Sequence, residues 1–426
     1  MKRRVKSSPP ARTETLTAKA LGARGDAVFP GPVYATGILP GETVKLEVRG
    51  ERGRVLERLD ASPERVTPFC PVAETCGGCS LQHFEEAAYR AWKRSLAEDA
   101  MSRAGLGLPL GELIDAHGAG RRRVTFHATR IGAKFIFGFN ERAGDKIADS
   151  HDCPAATPGI RRAIPALREI AEAATPKKGR IDIAVADLEP GLDVSIEGVK
   201  EADLALRELI ARHASTHQWA RVTLNREPVI EISTPVVRFG DVKVTPPPGG
   251  FLQATEAGEA ALAAVVMEAA SLVDGGPKHV IDLYAGSGAF ALRLARKSKV
   301  LALEGEDRPL AALRRAADRT PGLKSVDARV RDLALEPLSV KELSGADLVV
   351  LDPPRAGAKA QMERLADSQV PVVCSISCNP ATFARDAAIL IEGGYRLAAP
   401  IVLVDQFKWT GHLEMAGVFK RNKPQR

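Results

Sequence analysis

The chemistry-bearing residues of this chain begin with its six cysteines, at 70, 76, 79, 153, 374 and 378. Cys70, Cys76 and Cys79 share one loop, and Gly77 and Gly78 free its backbone to fold round an ion. Cys153 is the remaining cysteine outside the C-terminal region. Four thiolates suit zinc or an iron–sulfur cluster. Spacing alone does not separate the two, although three clustered ligands plus one distant lean towards iron–sulfur. A secreted disulfide scaffold would be shorter and denser in cysteine. The expected setting is a reducing cytoplasm.

The other two cysteines end a strand-like run, VPVVCSISC. Cys374 lies inside it and reads as a core thiol with no function. Cys378 lies at its end, just before a helix expected from Pro380. A helix N-terminus lowers a thiol pKa and favours the nucleophilic thiolate. Glu414 follows a Gly411-His412-Leu413 turn at the edge of the last strand-like run. Upstream, Asp282-Leu-Tyr284-Ala-Gly286-Ser-Gly288-Ala-Phe-Ala291 stands between a strand and a helix. Its glycines allow a sharp turn and close approach to a ligand. Glu304, at the end of the next strand, suits ribose hydroxyls. This loop also meets a dinucleotide fingerprint, so by itself it leaves NAD and S-adenosylmethionine both open. Asp352-Pro353-Pro354-Arg355 ends a further strand at the rim where open α/β sheets bind ligands.

These rims need a sheet to carry them. From 251 onwards strand-like and helical runs alternate, and seven strand candidates can be counted, the last two without a helix between them. The pattern predicts a doubly wound α/β domain over 251–426 with one antiparallel strand. PPPGG at 246–250 is the expected boundary. Residues 69–250 read as a central α+β domain carrying the cysteine loop, with a helix at 85–104. Residues 13–68 give short runs separated by turn signals, as in a small β-barrel.

Lys and Arg number 60 against 53 Asp and Glu, a net charge of +7. Residues 1–12 carry five of these cations and no acid, and the last seven residues carry four more, so the body between them is slightly acidic. Two basic tails suit a polyanion. With 45% apolar and 27% charged residues the chain is not disordered throughout. It has no apolar run long enough for a membrane span and no signal-like stretch behind its basic start, so no membrane partner is expected.

The strand-end segment LDPPRAG with DLYAGSG resembles the class I methyltransferases that use S-adenosylmethionine. Together with SCNPATFARD and the terminal TGHLE, these motifs are similar to the RNA uridine-5-methyltransferases. FCPVAETCGGCSLQHF resembles the iron–sulfur loop of the bacterial 23S ribosomal RNA branch, and residues 13–60 resemble its TRAM domain, a small OB-like RNA-binding barrel. The resemblance covers nearly the whole chain. It implies a seven-stranded Rossmann-like methyltransferase domain and methyl transfer to C5 of a uridine in RNA. The implied substrate is 23S rRNA, with tRNA the alternative. It further implies Cys378 as nucleophile and Glu414 as base. Gln253, Tyr284, Gly286, Gly288, Glu304 and Asp352 become contacts of S-adenosylmethionine. Cys70, Cys76, Cys79 and Cys153 become ligands of a [4Fe-4S] cluster. A monomer is expected. Where the family carries a Pro-His pair before the terminal Thr, this chain has Lys408-Trp409.

Arg121, Arg122, Arg123 and Phe126 combine phosphate donors with a ring for base stacking and read as RNA contacts. Two other classes compete. An NAD-linked iron–sulfur oxidoreductase would share the glycine loop and the cysteines but leave SCNP and Glu414 unexplained. A non-catalytic RNA-binding protein would leave Cys378 and Asp352 unexplained.

Overall fold

The computed structural model describes residues 10–142 and 144–421. The cations at 2, 3, 4, 6, 423 and 426 therefore lie outside the described residues. Arg12 opens a strand, and Lys420 and Arg421 close the last one. The chain forms two compact units. The first holds the residues up to Leu96, with Asn140–Ala148 and Lys408–His412. The second holds the remainder.

The first unit carries a six-stranded sheet in the order Arg12–Thr17, Thr43–Arg49, Arg52–Asp60, Val33–Ala35, Ala27–Phe29, Ala20–Leu21. Thr43–Arg49 alternates strictly, sending Val44, Leu46 and Val48 into a core with Phe29, Val33 and Ile38. Glu42 is fully buried there. Burial alone would raise its pKa, but hydrogen bonds from Arg65 and from the backbone of Leu39 and Ser62 hold it below the usual range.

The second unit contains two larger sheets. One is mainly antiparallel, in the order Lys134–Asn140, Arg123–Ile131, Arg180–Asp187, Leu192–Glu197, Arg221–Leu224, Glu227–Glu231. Helices Pro158–Ala174 and Leu204–His217 share its core.

The other sheet positions the candidate site. Its order is Val326–Val330, Lys299–Glu304, His279–Leu283, Leu348–Leu351, Val372–Ser377, Glu414–Arg421, Ile401–Asp405, Leu110–Asp115. Leu348–Leu351 and Val372–Ser377 are buried along their whole length, as strands covered on both faces must be. Glu414–Arg421 runs antiparallel between Val372–Ser377 and Ile401–Asp405.

The seven expected strands are present, and two more join them. Tyr395–Leu397 splits off the expected run RLAAPIVLV and pairs with the last strand. Leu110–Asp115 comes from the region read as the central domain and pairs in parallel with Ile401–Asp405. The core also starts before 250. Val237, Phe239, Val242 and Val244 of a short hairpin pack into it with Leu262 and Leu310. The breaker at 246–250 is thus a turn on the way into the core, not its edge.

Candidate active site

Strands His279–Leu283, Lys299–Glu304, Leu348–Leu351 and Val372–Ser377 are parallel and end at one rim. A cleft of about 710 Å³ opens there. Gln253, Tyr284, Gly286, Glu304, Asp352, Cys378 and Glu414 all line it. Gly288 does not. Its φ is +96°, and a Cβ would lie 2.9 Å from Leu313, so this glycine lets the helix behind it pack closely. Gly286 has φ +55° with open space where a Cβ would stand, and it faces the cleft. Tyr284 is also left-handed, at φ +62°, a strained conformation that turns its side chain to the same cleft.

The loop backbone is already occupied. Gly286 N–H donates to Glu304 at 3.1 Å, and the other carboxylate oxygen of Glu304 accepts from Gly305 N–H at 2.7 Å. An N–H that would cradle a diphosphate here holds an acid instead. Glu304, Glu306, Asp332, Asp352 and Glu414 line one cleft with Arg308, Arg331 and Arg355, so its acids outnumber its cations. Asp282, beneath it, is 1% exposed. One of its oxygens accepts from Ala291 N–H at 2.9 Å and the other has no partner. Burial pushes Asp282 up to about 8, helped by the charges of Asp352 and Glu304. Burial likewise pushes Asp352 up to about 7, against a hydrogen bond from Gln253 Nε2 at 3.0 Å. So acidic a site fits the sulfonium and ribose of S-adenosylmethionine and disfavours the diphosphate of NAD.

Cys378 stands just before helix Pro380–Glu392, whose N-cap Asn379 accepts from Ala381 N–H at 3.1 Å. The expected thiolate is not favoured here. Burial, then the charges of Glu414 and Asp352, push the Cys378 thiol up to about 11, while Arg355 pulls it down. Burial and two acids outweigh the helix terminus. Cys374 is fully buried in its strand, as expected of a core thiol.

Behind the cleft stand one residue that sequence reasoning missed and one that it assigned to RNA. Gln406 links Gln253 to Glu414. Arg122 supports the backbone of Gln253 by donating to its carbonyl at 3.2 Å and to Glu259 at 2.6 Å. Arg122 was expected to touch RNA, but strand alternation points it inward with Val124 and Phe126. Phe126 is 1% exposed and stacks on Phe137 at 4.9 Å, so it is a core ring and not a platform for bases. Arg121 and Arg123 point the other way, against the rings of Phe407 and Phe251. Phe251 is 69% exposed and lines the cleft, and it was not singled out in advance.

The cysteine loop belongs to the first unit and Cys153 to the second. The loop is laced to Asn140–Arg142: Gly77 N–H donates to Asn140 at 2.8 Å and Arg142 donates to the Cys79 carbonyl at 3.1 Å. Among the described residues, no three His, Cys, Asp or Glu side chains are grouped so as to hold a metal ion. No step of the proposed chemistry depends on a cluster. Lys408 and Trp409, the departure from the family pattern, are held within the first unit. Lys408 pairs with Glu86 at 3.1 Å, and the Trp409 ring meets Phe69 edge-on at 4.8 Å. No described helix is long and apolar enough to cross a membrane.

Residues 324–423 match the tRNA (uracil-5-)-methyltransferase family model. An uncharacterized RNA methyltransferase of Rhizobium meliloti is 42% identical over 96% of this chain and 100% of its own length. The 23S rRNA (uracil(1939)-C(5))-methyltransferase RlmD of Chromohalobacter salexigens is 34% identical over 92% of this chain and 85% of its own. The crystal structure of Pyrococcus abyssi tRNA (uracil-54, C5)-methyltransferase with S-adenosyl-L-homocysteine shares the fold. Its TM-score is 0.74 at 23% identity, covering 95% of this chain and 99% of that one.

Proposed function

Since the chain belongs to the S-adenosylmethionine-dependent RNA (uracil-C5)-methyltransferase family, we propose that it methylates a uridine of 23S rRNA with Cys378 as nucleophile and Glu414 as base. One observation carries the residue assignment: a single cleft collects Cys378 and Glu414 with Gln253, Glu304 and Asp352. The likeness to RlmD over most of both chains supports 23S rRNA. Transfer RNA is the second reading, favoured by the fold shared with the Pyrococcus enzyme.

C5 of uracil is too weak a nucleophile to take a methyl group unaided. Cys378 gives its thiol proton to water and its Sγ adds to C6, opening the C5–C6 double bond so that C5 gains the electron density of an enolate. When bound, S-adenosylmethionine supplies an electrophilic methyl group on a sulfonium. Glu414 then removes the C5 proton, the C5–C6 double bond re-forms, and Cys378 leaves as the thiolate. The high pKa of free Cys378 assigns a task to the loaded cleft. Positive charge brought beside Asp352 and Glu414 removes part of what holds the thiol protonated. A target uracil inside folded RNA must be splayed out to reach Cys378. Arg121, Arg123 and the tails are the proposed RNA contacts, and the six-stranded sheet at 12–60 is the proposed TRAM-like RNA-binding unit.

The [4Fe-4S] cluster on Cys70, Cys76, Cys79 and Cys153 belongs to this reading on spacing and resemblance alone. Iron in anaerobically purified protein, lost in Cys76→Ser, supports it; stoichiometric zinc without iron refutes it. The setting is a cytoplasmic monomer.

Cys378→Ala should abolish both adduct and methyl transfer. Glu414→Gln should still transfer the methyl group but trap a denaturation-resistant protein–RNA adduct that requires S-adenosylmethionine. Full activity in Cys378→Ala would sink the mechanism. Mapping 5-methyluridine in RNA from a deletion strain decides between 23S rRNA and tRNA.

A further inference from the structure

Glu414 sits at the start of the last strand, and Val404 of strand Ile401–Asp405 lies opposite it in register. Just past the end of that strand, Gln406 reaches Glu414. Gln406 Nε2 donates to Glu414 Oε1 at 3.0 Å and to Gln253 Oε1 at 2.7 Å. Gln253 Nε2 donates onward to Asp352 Oδ2 at 3.0 Å. Four side chains thus form one line: Asp352, Gln253, Gln406, Glu414.

The line has a direction. A carboxylate at Asp352 only accepts, so Gln253 must turn its NH₂ that way and its carbonyl towards Gln406. That carbonyl only accepts, so Gln406 must present its NH₂ there. An amide NH₂ carries two N–H groups, and the second then falls to Glu414. Turning the Gln406 amide over would set its oxygen against two other oxygens. In the orientation it keeps, Gln406 Oε1 is buried without a partner, in a residue 1% exposed. An unpaired buried acceptor is destabilising, so the amide is oriented for its donors. Close packing holds it there. A Cβ on Gly258 would lie 2.7 Å from both Cβ and Oε1 of Gln406, so only glycine leaves room for this side chain.

We infer that Gln406 is a positioning residue for proton removal at C5: its two-donor amide fixes the Glu414 carboxylate and ties it to the residues that meet the methyl donor. This deepens the proposed function and rests on Glu414 as base. Gln406 lies outside the cleft lining and touches no reacting atom. Its loss should therefore spare addition by Cys378 and methyl transfer, and should slow release of the methylated product.

Gln406→Met keeps the length and removes both donors. Gln406→Glu keeps the shape and replaces the NH₂ by an acceptor. The full-length variants are mixed with radiolabelled S-adenosylmethionine and RNA from cells lacking the enzyme. Single-turnover methyl transfer should stay within about threefold of wild type, and product release should slow about 10- to 100-fold. A labelled, denaturation-resistant adduct should accumulate, and the KM for S-adenosylmethionine should move less than kcat. Wild-type turnover with no extra adduct in both variants overturns the inference. So does a parallel fall of methyl transfer and adduct in step with lost folded protein, which is what packing alone would give. If Gln406→Met does not fold, Gln406→Glu decides by the same readouts. A wild-type chain that places no methyl group on uracil C5 overturns the parent reading together with this one.

Discussion

Glu259 and Asp282 are both almost lost to solvent, at 3% and 1% exposure, and they are treated in opposite ways. Glu259 receives Arg122 at 2.6 Å and Arg293 at 2.8 Å, one guanidinium on each oxygen. Asp282 receives one backbone N–H, keeps an orphan oxygen, and has two more acids nearby. The scaffold pairs its buried acid with cations, whereas the buried acids at the cofactor end of the cleft lack cations and hold on to their protons. In the first unit Glu42 follows the scaffold rule, with Arg65 upon it. Unpaired acids are therefore the mark of the place where a cation is to arrive, and a methylsulfonium is such a cation.

Removing the scaffold charge should do the most damage. Glu259→Gln takes the anion from buried Arg122 and half-buried Arg293 and should cost about 3–5 kcal/mol in urea unfolding. A loss below about 1 kcal/mol would break the comparison. Removing the site charge should do the reverse. Burial raises the Asp282 pKa to about 8 in the folded chain from an ordinary 3.8, so the folded chain holds its proton more tightly between those values. The stability linked to this group is complete below about pH 4 and is lost as pH climbs through 8. Asp282→Asn should flatten that fall and stabilise the ligand-free protein at pH 8 by about 1–3 kcal/mol. An unchanged pH slope of the melting temperature would refute the assignment.

A smaller effect concerns the ligand itself. Asp352 ionises near pH 7 in the free protein, so calorimetric affinity for S-adenosylmethionine should rise about three- to tenfold from pH 6 to 8. Affinity for the uncharged thioether S-adenosylhomocysteine should stay level, and Asp352→Asn should remove the difference. The smallest effect separates two arginines. Arg123→Ala should lower the salt slope of RNA binding by about 0.7. Phe126→Leu should leave that slope unchanged and lower only the melting temperature.

The lining of the cleft was legible because motifs carry it: Cys378 in SCNP, Asp352 in DPP, Glu414 in TGHLE and Gly286 of the loop. Each motif ends or begins a strand, and the strand pattern placed those ends at one rim. What was not legible depends on neighbours far away in the chain. Gln406 belongs to no motif, and its use appears only when two antiparallel strands set Val404 opposite Glu414. Arg122 looked like one of three equivalent cations. Only its inward phase in an alternating strand, and an acid 137 residues on, make it part of the scaffold. The thiol at 378 was read from its helix alone, and the burial that raises its pKa is tertiary. Leu110–Asp115 joined the sheet from outside the alternating region, where no local periodicity could announce it.

The last strand, Glu414–Arg421, is late in sequence and interior in the sheet, with Val372–Ser377 on one side and Ile401–Asp405 on the other. On a translating ribosome the strands at 279–377 can emerge and associate, but the gap beside Val372–Ser377 has no occupant until residues 414–421 are free. Leu110–Asp115 must wait longer still, since its strand partner among the described residues is Ile401–Asp405, nearly three hundred residues downstream. Pairings of such separation are slow to form and leave edges open meanwhile. The nascent chain therefore passes the later part of its synthesis with an exposed, unfinished sheet, a natural client for chaperones, and Glu414 arrives with the strand that completes it.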